Sequence, residues 1–169
     1  MNPAHLHLLL NHVPVLGAFG LLLLFTIAFF RRDSSLGRLT LVLTILVAGA
    51  AVAVFLTGEP AEEIVEELAG IGESAIEPHE EAARVATIAF GILGAGAAAM
   101  LLAFRRHELP RWAMGVVLVS TLAVSGLMGW TANLGGRIRH TEIGGAPGAA
   151  DPEHWDEDDA RHPPNDHDR

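Results

Sequence analysis

The segment HLHLLLNHVP, residues 5 to 14, sets three histidines and an asparagine at the front of an otherwise apolar run. A neutral imidazole offers one ring nitrogen as a Lewis base, which suits transition metals and haem iron. Leucine would be far easier to bury, so His5, His7 and His12 point to a ligand site. Further donors recur along the chain: Glu59 in TGEP, His79 in EPHEE and His140 in IRHTE. Cysteine is absent, which excludes thiolate metal sites, iron–sulfur clusters, disulfides and covalently attached c-type haem. Any haem would therefore be non-covalent and held by histidine or methionine.

The elements that must position these residues are apolar. The chain has 169 residues, half of them hydrophobic. Four runs carry no charged side chain: Val13–Phe30, Leu39–Thr57, Val85–Phe104 and Trp112–Leu134. Each approaches the roughly 20 residues a helix needs to cross a bilayer. In lipid the backbone must satisfy its own hydrogen bonds, so the expected fold is an all-α four-helix transmembrane bundle. A soluble bundle would show a polar stripe on each helix, and none does. The first run lacks a basic leader and a small-residue cleavage site, and it ends in AFFRR, so it reads as a span and not a signal peptide.

Charge asymmetry orients the bundle. Arg31, Arg32 and Arg38 flank the first connection, and Arg105, Arg106 and Arg111 the third, whereas the middle connection is rich in glutamate. Short arginine-rich loops stay cytoplasmic, which puts both termini and the acidic connection outside. Arg137 and Arg139 oppose this arrangement and are outvoted. Eight of the nine histidines then fall on the outer side, and only His107 on the inner one.

In the acidic connection, Ile64, Val65, Leu68 and Ile71 recur at helical spacing with glutamates opposite, which predicts a short interfacial helix. Pro78 suits the first turn of the third helix, whose positive end Glu80 and Glu81 complement. Residues 1–143 form the membrane domain, and residues 144–169 an acidic, proline-rich tail without apolar period, expected to be disordered.

Counting up from the arginines ranks the polar groups by depth. His12, Thr57, Arg84 and Trp130 each lie nineteen to twenty-one residues from an inner arginine, roughly 28–32 Å up at 1.5 Å per residue. His5, His7, His79, Glu59, Asn133 and Arg137 form a second layer one to two turns higher, and His140 follows Gly135-Gly136, read as a break in the fourth helix. Pro14 cannot donate to the Leu10 carbonyl, so a kink is expected beside the histidines. Trp130, Asn133 and Arg137 share one stripe of the fourth helix. Gly49, Ala53, Gly91 and Ala95 offer small surfaces for close helix contact. Taken singly each polar residue has a plain reading: Trp130 as an interfacial anchor, and Arg84 as the partner of Glu80 or Glu81 on its own helix. As a cluster they indicate a ligand site, because polar groups at membrane depth are costly and usually functional.

The motifs HLHLLLNHVPVLG, TGEPAEE, EPHEEAA and LGGRIRHTEI together resemble a recurrent family of small bacterial four-helix membrane proteins of unknown function. More loosely, the chain is similar to the predicted membrane proteins of domain of unknown function 2231. Their first helix carries His-x-x-x-x-His-x-x-Pro, which His7 and His12 match while Pro14 comes one position early, and His79 matches the histidine opening their third helix. Asn11 stands where that group tends to be apolar. The resemblance covers about residues 5–143 and implies a multi-pass protein of the bacterial inner membrane, without an attached activity.

Three function classes follow. Haem b between two imidazoles is the leading expectation, with His12 and His79 as axial pair and Arg84, Arg137 or Arg139 near the propionates. Those two histidines differ in depth by roughly 10 Å, which tilt, the Pro14 kink or His7 in place of His12 would resolve. Such a protein would be a redox or binding subunit, not a stand-alone enzyme, exchanging electrons with quinol or a periplasmic partner. The second class is a Zn, Cu or Fe site drawn from His7, His12, His79, His140 and Glu59. The third is an accessory subunit of a larger membrane complex. No nucleic-acid partner is expected.

Overall fold

The computed structural model describes His7, residues 9–58 and residues 73–139. Four helices dominate: α1 (His12–Arg31), α2 (Ser34–Phe55), α3 (Glu73–Ala103) and α4 (Arg111–Arg139). Among the described residues there is no strand. All four are long and apolar enough to cross a membrane. Each packs on its neighbours in chain order, and α4 closes the ring against α1. His5, Glu59, His140, the expected interfacial helix and the C-terminal tail lie outside the described residues.

The outer surface decides the environment. Leu16 is 67% exposed and Ile92 is 68% exposed, and Leu23, Leu46, Leu102 and Val119 are exposed with them. A soluble bundle would turn such residues inward, whereas here lipid is the solvent they fit. The interior combines Phe25, Phe90, Leu41 and Met128 with small residues. Buried hydroxyls return their hydrogens to backbone: Thr44 Oγ1 donates to the Thr40 carbonyl at 2.8 Å, and Thr121 to Val117 at 2.8 Å. Ser125 reaches across instead and donates to the Ala18 carbonyl of α1 at 3.1 Å.

Close helix contact uses other small residues than those anticipated. A Cβ at Gly94 would stand 2.7 Å from the Ala48 Cβ, so α2 and α3 touch there. One at Gly17 would meet Val47 Cγ1 at 2.6 Å, which brings α1 onto α2. Gly49 and Gly91 face open space, and Ala53 and Ala95 are exposed. A shift of one position turns a helical side chain by about 100°, enough to exchange inside for outside.

At the arginine end the connections are short and tied together. Arg32 adopts φ 56°, and its N–H caps the Ala28 carbonyl. Asp33 then accepts from the Ser35 and Leu36 amides, both at 3.0 Å, and starts α2. The Arg38 guanidinium donates to the Phe104 carbonyl at 2.6 Å and also to the His107 carbonyl. The Leu109 amide donates to Ser34 Oγ at 2.9 Å. The first and third connections are thereby fastened side by side.

Two helix ends differ from the sequence reading. α3 begins at Glu73 and runs through Pro78, instead of taking Pro78 into its first turn. α4 continues through Gly135-Gly136 to Arg139 without a break, because glycine weakens a helix by only about 1 kcal/mol and does not clash with it.

Candidate functional site

The opposite end of the bundle gathers the histidines. Pro14 sits in the first turn of α1 and is buried. It leaves the Leu10 carbonyl without a helical donor, and the regular helix starts only at His12. Upstream, His7, Leu9 and Leu10 are helical and the Asn11 amide donates to the His7 carbonyl at 2.9 Å, so His7 stands on a helical stretch that leads into α1. From there its ring crosses to the end of α2, with Nδ1 3.1 Å from Thr57 Oγ1.

The partners assign the proton on each ring. Thr57 Oγ1 donates to the Val54 carbonyl at 2.7 Å, which also accepts the Thr57 amide at 3.0 Å. With that hydrogen on Val54, the hydroxyl oxygen is left to accept from a ring N–H, the arrangement in which His7 Nδ1 is the donor. His79, on α3, has Nδ1 3.0 Å from the Thr131 carbonyl of α4. A carbonyl cannot donate, so this Nδ1 is also the protonated nitrogen. In that arrangement neither ring uses Nε2 for these contacts.

Gly135 makes room for the second ring. A Cβ there would stand 2.9 Å from His79 Cε1 and 3.2 Å from Nδ1, so an unmoved His79 tolerates only glycine at that place. Gly58 lies beside His7 more loosely, with a would-be Cβ 3.7 Å from Cε1. The two rings feel each other. Burial holds the His7 pKa below its ordinary value, the neighbouring His79 lowers it further, and the Val54 carbonyl opposes both.

The structure thus ties His7 to Thr57 at the end of α2 and, separately, His79 to Thr131 of α4; the electrostatic effect of His79 on His7 is what relates the two rings. His12 opens α1 and is exposed. Trp130 is exposed, as are Asn133 and Arg137, so their stripe lies on the outside of α4 while Thr131 is buried. Arg84 pairs with Glu81 at 2.5 Å on its own helix. Among the described residues no third histidine, aspartate or glutamate joins the pair. Thr131 and Gly135 had no distinguishing signal in the sequence. Thr57 had one, its depth.

Two imidazoles, each set with Nδ1 against a protein oxygen, have the second-shell pattern of metal-ligating histidines. Comparison with protein-family models, curated proteins and solved structures found no match. The functional reading accordingly stands on this geometry.

Proposed function

We propose that the chain is a multi-pass protein of a bacterial inner membrane whose outer end holds a transition-metal ion between His7 Nε2 and His79 Nε2. The observation that carries the reading is the matched pair of anchored imidazoles on separate helices. Borderline ions such as copper or zinc suit neutral imidazole, and such a site needs further ligands beyond the two rings. Glu59 and His140 are the candidates to complete it. The arginine asymmetry supports an orientation with both termini and this site outside.

Haem b uses the same two-imidazole chemistry and is the rival reading. A single ion is preferred because a macrocycle needs a planar slot. The His79 ring rests on the α4 backbone at Gly135, and one turn inward Val54, Met128 and Thr131 are buried in the core. In either form the protein acts as a metal-holding subunit, with copper or haem allowing electron exchange with quinol or a periplasmic partner.

An absorption spectrum and metal analysis on the same purified full-length sample test this. About one equivalent of copper or zinc without a porphyrin band, lost in both His7→Ala and His79→Ala, is the expected result. A Soret band would replace the ion by haem b. Neither metal nor haem, together with unchanged behaviour of both variants, would leave only a scaffold or accessory subunit.

A further inference from the structure

The other end of the bundle holds an unneutralised cationic face. Arg31, Arg32, Arg105, Arg106 and Arg111 are all exposed. Among the described residues the one ion pair is that of Arg84 with Glu81, far away at the histidine end, so no described carboxylate neutralises any of these five. Two acids lie nearby in sequence. Asp33 is committed to the Ser35 and Leu36 amides, and Glu108 is exposed and makes no ion pair.

The fold itself assembles this face. Its arginines belong to connections separated by more than seventy positions in the chain. Arg38 and Ser34 fasten the two connections through the Phe104 and His107 carbonyls and the Leu109 amide. Arg111 is set in place over the Phe29 ring, 4.9 Å from its centroid, a cation–π contact that leaves its charge in being. Beside the arginines stand two exposed aromatic residues, Phe30 and Trp112. Tryptophan, with an apolar body and a polar N–H, favours headgroup depth.

We infer that this face binds the phosphate of an anionic phospholipid, phosphatidylglycerol or cardiolipin. Every cation is arginine, whose planar fork matches phosphate oxygens in pairs, which a lysine ammonium does not. Phe30 and Trp112 add an apolar contact to the glycerol and upper acyl region, which a free phosphate cannot use. The proposal is independent of the histidine site.

Native mass spectrometry of the full-length protein in detergent, with cardiolipin, phosphatidylglycerol or phosphatidylcholine added, tests it. Cardiolipin and phosphatidylglycerol should remain bound and raise the melting temperature, while phosphatidylcholine does neither. Arg31→Gln with Arg32→Gln should weaken retention roughly 30-fold, since each cation near a membrane surface contributes about fivefold. The same pair at Arg105 and Arg106 serves as a second variant if the first fails to fold. Equal retention of phosphatidylcholine overturns the inference, and so does undiminished anionic lipid on folded variants. Full displacement of bound lipid by inorganic phosphate would show that the site takes free phosphate, which also overturns it.

Discussion

The His79 ring occupies the place where a side chain at Gly135 would begin, with Cε1 2.9 Å from the would-be Cβ. That contact and the hydrogen bond to Thr131 fix the ring in one tautomer and one position. A helix would ordinarily gain from alanine at this position, by about 1 kcal/mol. The glycine is thus explained by the histidine and not by the helix.

Gly135→Ala should therefore displace His79 and weaken metal binding roughly 10–100-fold, the usual effect of disturbing a ligand's support. Gly136 meets nothing within 4 Å, so Gly136→Ala should bind metal normally and melt no lower than the parent. Isothermal titration with copper or zinc, alongside thermal melts, compares the two. Equal affinity in both variants would show that the ring position is irrelevant to ligation.

Thr57 has two tasks: it accepts from His7 and donates to Val54. Thr57→Val keeps the shape and removes both bonds, at a cost of about 1–3 kcal/mol. Metal affinity should fall with it. Thr57→Ser should restore affinity, because serine presents the same hydroxyl. Failure of serine to rescue would mean that the methyl group, and not the hydrogen bond, matters.

Arg38→Gln should loosen the fastening between the first and third connections. Hydrogen bonds to a charged donor are worth about 1.5–3 kcal/mol, so the melting temperature in detergent should drop while metal content stays unchanged. Loss of metal in this variant would show that the two ends of the bundle are coupled.

Gly94→Leu should be severely destabilising, since even a Cβ lies 2.7 Å from that of Ala48; overpacking of this kind costs about 1–3 kcal/mol or more. Gly91→Ala, which faces open space, should melt no lower than the parent, with up to about 1 kcal/mol gained from helix propensity. Equal melting temperatures would place the α2–α3 contact elsewhere.

Much of the architecture could be read from residue order. Uninterrupted apolar runs leave the backbone only helices at membrane depth, and four such runs joined by short connections make four neighbouring helices. Their bounds agree with the structure to within a few residues in α1 and α2. Glycine and proline were harder to read: Gly135-Gly136 does not break α4, and α3 starts before Pro78, because packing and continuing hydrogen bonds override weak local preferences.

Composition and order alone determined that the chain is apolar, helical, free of thiol chemistry and supplied with histidines at one end. Which histidines meet was left to the tertiary structure. Residue counting places groups along a helix axis, yet it does not say how far each helix is rotated about that axis. Only packing settled that His7 lies against Thr57, that Thr131 is buried beside exposed Trp130, and that Gly94 rather than Gly91 touches Ala48. A single residue step turns a side chain by about 100°, so depth is a property of the sequence and facing is a property of the fold.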